Sequence, residues 1–143
     1  MRSQTCNNHF RVDWGGTRDG FLDVSGLAID LDVVQVREGA SPDNAALLMP
    51  GQRHYSPVVL RRGVVQGDNE FFEWMGTAQF SQVERRDVTI ALLDGSHNPT
   101  VVWRLIRAFP SKLEYAPLNA LGSGVATESL TLVYEGLVVQ HTT

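Results

Sequence analysis

Apolar and polar positions alternate in short runs along most of this chain. In "LAIDLDVVQV", Leu27, Ile29, Leu31 and Val33 share one phase, and Asp30 and Asp32 occupy the other. In "RRDVTIALLD", Val88, Ile90 and Leu92 alternate with Asp87, Thr89 and Ala91. A period of two over such lengths is the signature of a half-buried β-strand. "FRVDW", "GFLDVSGL", "PVVLRRGVV", "TVVWRLIRAF" and "ESLTLVYEGLVVQ" read as strands on the same grounds. Between the first two, "GGTRDG" offers Gly15, Gly16, Asp19 and Gly20, which suit a hairpin turn. The face carrying Leu27, Ile29, Leu31, Val88, Ile90, Leu130 and Leu132 is the expected core. At Val34 and Val36 the apolar phase switches, which predicts either a bulge or a strand end buried on both sides.

One segment follows a helical period instead. In "GDNEFFEWMGTAQF", Phe71, Trp74, Met75 and Ala78 fall at i, i+3, i+4 and i+7. Asp68 is the expected N-cap, Glu70 suits the first turn, and Gly76 marks the end. The Phe71, Trp74 and Met75 face is expected to pack on the core, leaving Asn69, Glu70 and Glu73 outward.

Two stretches keep no clean period. Residues 37–56, "REGASPDNAALLMPGQRHYS", read as a long loop with an apolar tip of Ala45, Ala46, Leu47, Leu48 and Met49. Loops of that length are usually functional or disordered, and an exposed apolar tip needs a cover. Residues 107–124, "RAFPSKLEYAPLNALGSG", combine Pro110, Pro117, Gly122 and Gly124 with apolar Phe109, Leu113, Tyr115, Leu118 and Leu121. This segment is expected to be irregular: either a contact to a neighbouring subunit or a loop capping its own barrel.

Composition narrows the function. The 143 residues suffice for one domain, expected over 10–143 behind a flexible polar tail, 1–9. A net charge of −4 speaks against a basic nucleic-acid or membrane footprint. The single Cys6 excludes an internal disulfide framework. "MRSQTCNNHF" lacks the apolar region of a secretory signal, and no run is long enough for a membrane anchor.

Candidate chemistry is sparse. Cys6 and His9 are neighbours in a polar tail, with nothing to fix a nucleophile–base geometry. His9, His54, His97 and His141 are scattered without metal-ligand spacing, so neither a metal nor another cofactor is expected. Asp30 and Asp32 read as a solvated face in preference to a catalytic pair. "GSG" at 122–124 lacks the context of a phosphate loop. Arg61–Arg62 and Arg85–Arg86 read as solvated or interface ion-pair partners. An enzyme is not expected.

Taken together and in order, "DVSGLAIDLDVVQVREG", "LMPGQRHYSPVVLRRGV", "FFEWM", "VERRDVTIALLD" and "AFPSKLEYAPLNALGSGVATESLTLVYEGL" carry a resemblance. From about Phe10 to Gln140 the chain resembles the inner tube proteins of contractile phage tails and extracellular contractile injection systems of the antifeeding-prophage and virulence-cassette type. That resemblance implies a mainly β, tail-tube (Hcp-like) β-barrel or sandwich with one short α-helix. It further implies hexameric rings stacked into a hollow tube, inside a contractile sheath, on a baseplate with hub and spike proteins. A second tube protein could share the structure, and cargo would travel in the lumen. The particle would assemble in the bacterial cytoplasm and act as a phage tail or a released injector.

On this resemblance, Leu47, Leu48, Met49 and Pro50 are the expected contact to an adjacent ring. Lys112, Leu113 and Tyr115 are the expected contact to a neighbouring subunit, and Asn69, Glu70 and Glu73 the sheath-facing positions. Asp30, Asp32, Asp87, Thr89, Ser129 and Thr131 are candidates for the lumen, although these rows could equally face outside. Two other readings remain: a single-ring initiator or terminator of the same fold, and a monomeric β-barrel that binds a ligand.

Overall fold

The computed structural model describes residues 4–18, 20–37, 39 and 46–142. In chain order the strands are β1 (Phe10–Asp13), β2 (Asp23–Ser25), β3 (Ile29–Val36), β4 (Leu47–Tyr55) and β5 (Val58–Gly63). After the helix α1 (Glu70–Met75) come β6 (Arg86–Leu93), β7 (Pro99–Tyr115), β8 (Thr127–Val133) and β9 (Gly136–His141). All the strand pairings are antiparallel. The mainly β expectation with one short helix is borne out.

Strand β7 organises the molecule. Its first half pairs with β6 on one side and β9 on the other, and β6 pairs onward with β1. Its second half pairs with β8, which continues to β5 and β2. The crossover lies at Arg107, whose φ of 53° is left-handed, and the Arg107 N–H donates to Asp87 Oδ1 at 2.9 Å. Two four-stranded layers, β1–β6–β7–β9 and β2–β5–β8–β7, therefore share one strand and enclose one core.

The alternation read from the sequence explains that core. Val88, Ile90 and Leu105 face Val58, Leu60, Leu130 and Leu132, all buried, with Val12 and Ala108 among them. Each such side chain contributes about 1.5–3 kcal/mol when fully buried. Trp14, Phe71 and Trp74 fill one end of the sandwich, with the Trp14 and Phe71 rings 5.0 Å apart in an edge-on arrangement. Trp74 Nε1 donates to the Glu84 carbonyl at 2.8 Å, and Trp14 Nε1 to the Arg18 carbonyl at 2.9 Å.

Four sequence expectations need correction. "GGTRDG" does not join a hairpin: β1 pairs with β6 and β2 with β5, in different layers. Ile29 and Leu31 are not core: with Val33 they lie on a β3–β4 hairpin that stands away from the sandwich, exposed along both strands. Leu27, just before it, does pack against the core. Residues 47–55, expected within a loop, form β4, because Pro50 and Gly51 do not prevent pairing on this isolated ribbon. Residues 107–115, expected to be irregular, continue β7, so the irregular connection is confined to 116–126. Pro110 is tolerated because a register shift follows it, where pairing passes from Pro110–Leu132 to Lys112–Thr131.

The helix is shorter than its period suggested. Asn69 occupies the N-cap without a side-chain bond, while Asp68 Oδ1 accepts the Glu70 N–H at 3.1 Å from one residue upstream. Gly76 closes the helix, leaving Ala78 beyond it and exposed. Of the expected apolar face, Phe71 and Trp74 are buried and Met75 is half-buried.

Candidate assembly surfaces

The β3–β4 hairpin is the most exposed apolar element. Its register runs Ile29–Tyr55, Asp30–His54 and Leu31–Arg53, then shifts so that Val33 meets Pro50 and Val36 meets Leu47. There one residue of β3, Asp32, opposes two of β4, so β4 carries a bulge at Gly51–Gln52. The apolar phase switch read at Val34 lies at this level. Near the base the ribbon is two-sided in the ordinary way: Ile29, Leu31 and Tyr55 share one face, and Asp30, Asp32 and His54 the other. His54 Nε2 lies 2.8 Å from Asp32 Oδ2 on that polar face.

Beyond the bulge both faces are apolar. Val33, Leu48 and Pro50 lie on one side, and Val34, Val36, Leu47 and Met49 on the other. Leu47 and Leu48 are each more than 60% exposed, so none of the described residues covers them. Leu47, Leu48, Met49 and Pro50 thus form an exposed apolar surface, whereas Ala45 of the expected tip lies outside the described residues.

The hairpin is anchored at one end of the sandwich. The Ser56 N–H donates to the Ala28 carbonyl at 3.1 Å, Tyr134 Oη donates to the Ser56 carbonyl at 2.5 Å, and the Tyr55 and Tyr134 rings lie 5.7 Å apart. Burial, with Tyr55 beside it, pushes the Tyr134 hydroxyl above its ordinary pKa, so it stays a proton donor. Gly26, at φ +92°, makes the turn into this base; a Cβ there would meet the Pro57 carbonyl oxygen at 2.1 Å.

The connection 116–126 lies at the opposite end. It leaves β7 after Tyr115 and enters β8 at Thr127, with the Ala116 N–H on the Thr127 carbonyl at 3.1 Å. Leu118, Leu121 and Val125 project into solvent. Ala116, Pro117, Leu118, Asn119, Val125 and Ala126 help line a concavity of about 570 Å³ in this segment.

Both layers also end in open edges. Among the described residues, β1 pairs only with β6, β9 only with β7, and β2 only with β5. The last part of β7 pairs only with β8. Lys112, Leu113 and Tyr115 lie on this last edge, with Leu113 packed against the core margin and Lys112 paired to Glu114 at 3.2 Å.

The lumen candidates do not form one surface. Asp30 and Asp32 belong to the hairpin. Asp87 and Thr89 lie on the outer face of the β6 layer, because Val88 and Ile90 between them point into the core. Ser129 and Thr131 lie on the outer face of the β8 layer, because Leu130 and Leu132 point inward. These two faces look in opposite directions across the sandwich, so they cannot line a common channel. On the helix, Glu70 is also committed internally: its carboxylate accepts from the Thr17 N–H at 2.9 Å and from the Thr17 hydroxyl. Asn69 and Glu73 remain exposed.

An internal ionic cluster was missed by sequence reasoning. Arg62 is fully buried, with Nε 2.8 Å from Glu128 Oε1 and Nη2 3.4 Å from Asp68 Oδ1. Its guanidinium carbon lies 3.8 Å from the centre of the Phe71 ring and 5.0 Å from that of Trp14. Arg18 Nε reaches Asp68 Oδ2 at 2.7 Å. Burial alone would raise the Asp68 pKa, but the Arg18 bond, the Glu70 N–H and the charges of Arg62 and Arg18 outweigh it and hold Asp68 below its ordinary value. Arg62 thus ties the turn after β1 and the segment entering α1 to β5 and β8. Arg61, by contrast, forms the expected exposed pair, with Asp23 at 2.5 Å. Arg86 lies over the Trp74 ring at 4.5 Å.

Among the described residues no group of three or more His, Cys, Asp or Glu side chains could hold a metal ion. His9 and His97 meet edge to face at 4.4 Å, and Cys6 is exposed. Among the described residues no helix is long and apolar enough to cross a membrane.

Comparison with known proteins agrees with this architecture. A chain of the extracellular contractile injection system PVC sheath–tube complex in the extended state is 30% identical, with a TM-score of 0.89 over 97% of this chain and 93% of that one. A chain from the sheath/tube terminator of the PVC system is also 30% identical, with a TM-score of 0.89 over 98% and 99%. Hcp1 from Flavobacterium johnsoniae, at 15% identity and a TM-score of 0.57 over 94% and 96%, shares the fold alone. Among curated protein sequences no match is found. The family model of the T4-like virus tail tube protein gp19 matches residues 6–138, nearly the whole molecule, and the chain belongs to that tail tube family.

Proposed function

We propose that this protein is the structural subunit of the inner tube of a contractile injection particle or phage tail, closing into hexameric rings that stack. The observation that carries this reading is the incompleteness of the single chain. Among the described residues, two layers end in unpaired strands and a hairpin apolar on both faces has no cover. Open edges invite pairing, and a closed ring of copies satisfies them without uncontrolled growth. Lys112, Leu113 and Tyr115, on the free edge of β7, serve the contact within a ring. Leu47, Leu48, Met49 and Pro50 serve the contact between rings.

The remaining partners follow from the relatives. A sheath would enclose the tube and meet its outer face through Asn69 and Glu73, and a baseplate with hub and spike would nucleate it. Cargo would pass along whichever of the two outer sheet faces is turned inward. The role is mechanical and calls for no catalysis or cofactor. The particle would be a phage tail or a released extracellular injector.

Size-exclusion chromatography followed by negative-stain imaging of the concentrated full chain tests this. Hexamers that elongate into tubes are expected, whereas a monomer at every concentration, even with a baseplate template supplied, would overturn the reading. The similarity to a tube terminator supports one other reading, a subunit that forms a single ring and stops. Rings without tubes would favour that alternative.

A further inference from the structure

The corner where the two layers meet is built around a bulge. Between the pairs Arg86–Ala108 and Val88–Leu105, Asp87 alone on β6 opposes Ile106 and Arg107 on β7. A bulge bends its strand and increases the local twist, and a left-handed position within it is usually glycine. Here that position is Arg107, at φ 53°. A long side chain in this conformation persists only where its surroundings over-determine it. Two restraints do so: Asp87 Oδ1 accepts the Arg107 N–H at 2.9 Å, and Arg107 Nε donates to Glu135 Oε2 at 3.0 Å.

A second passage between the layers lies at the same corner. Tyr134 and Glu135 carry the chain from β8 in one layer to β9 in the other. The Glu135 N–H donates to the Ile106 carbonyl at 2.9 Å, and Arg85 Nη1 lies 3.5 Å from Glu135 Oε1. The two passages are therefore tied to each other. The free edges beside them are β9 and the last part of β7, one from each layer.

From this corner we infer that the bond between Asp87 and the Arg107 N–H sets the angle between the layers, and with it the number of copies that close a ring. This role rests on the tube reading given above and adds the residues that aim the ring's edges. The bend at the bulge decides how β9 and the end of β7 point relative to each other. A heterologous contact closes only if every copy turns the path by the same fraction of a circle, and an angular error is repeated at each copy. Asp87 and Arg107 are both exposed, so exchanging either removes no core side chain.

Native mass spectrometry and end-on negative-stain averages of rings formed by the full chain test this by counting copies per ring. Wild type and Asp87→Asn, whose amide oxygen still accepts the N–H, are expected to give one ring size. Asp87→Ala removes the acceptor, and Arg107→Val keeps it but opposes a positive φ. Both are expected to give mixed ring sizes and open arcs. The single wild-type size from both D87A and R107V would overturn the inference and leave the tube reading standing. So would failure of both to fold or to associate, since the bond would then serve stability or contact in place of angle. Wild type that forms no rings would overturn the tube reading and this role with it.

Discussion

Arg62 Nε donates to Glu128 Oε1 across 2.8 Å with Arg62 wholly inside the sandwich and Glu128 almost so. Two charges so placed were taken out of water, and their mutual attraction offsets that cost only while both remain. Asp68 and Arg18 extend the pair into a network, and the Phe71 and Trp14 rings cover it.

Removing one partner should therefore be severe. Arg62→Met takes away the buried cation bonded to Glu128, leaving only Arg18 Nη2 near it at 3.6 Å, and should cost about 3–5 kcal/mol. Adding Glu128→Leu to R62M should recover part of that loss, because the uncompensated carboxylate goes with it. Urea unfolding of the subunit measures both. A double variant less stable than R62M by the full cost of a second truncation would show that the pair does not act as a unit.

Asp68 gives the network an acid-sensitive edge. Its folded pKa lies below the unfolded value, so the stability it contributes is present above about pH 4 and is lost as pH falls through the folded value. Asp68→Asn should lower stability at neutral pH and flatten the decline that begins below about pH 4. Unfolding midpoints recorded across that window check the sign: a variant curve parallel to the wild type would remove Asp68 from the account.

The turn after the helix is built against preference. Phe80 and Ser81 have φ of 51° and 71°, Gln79 and Gln82 exchange backbone hydrogen bonds across them, and Phe80 is 92% exposed. A two-residue turn with both central φ positive favours Asn-Gly. The double change Phe80→Asn with Ser81→Gly should stabilise the subunit by about 0.5–1 kcal/mol. A thermal scan reads this as a higher Tm, and an unchanged or lower Tm would mean that Phe80 packs in a way its exposure conceals.

Gly26 is the least replaceable position at the hairpin base. Gly26→Ala meets both a left-handed φ and the Pro57 carbonyl, and the conformational term alone costs about 1–2 kcal/mol. The variant should unfold at clearly lower urea concentration, in contrast to Leu48→Asp at the exposed tip. L48D should keep the wild-type unfolding curve and lose tube formation. If the two variants were equally stable, the backbone geometry at Gly26 would not be limiting.

The alternation in β6 and β8 made their core faces legible, since a strand with one wet face writes its burial in a period of two. The same rule misled at β3. Ile29 and Leu31 alternate with Asp30 and Asp32 as a core strand would, yet they stay uncovered within their own chain. Periodicity reports that a face is to be buried, without saying whose surface buries it. The reach of β7 was hidden because Pro110 and Pro117 bracket residues that pair normally. Arg62 was hidden by its charge, although it shares a phase with Val58 and Leu60, and Glu128 shares one with Leu130 and Leu132. Two opposite charges in two core phases were the available sign of an internal pair.

Strand β7 carries one covalent segment, Pro99–Tyr115, through both layers, passing from one to the other at Arg107. An axial thrust on the particle would reach one layer from the other through covalent bonds, with no need to travel through side-chain packing. Pulling the layers apart would first require the β6, β8 and β9 ladders to slide along it, many hydrogen bonds yielding together in shear. The subunit is thereby reinforced in the manner of a beam with a continuous spar.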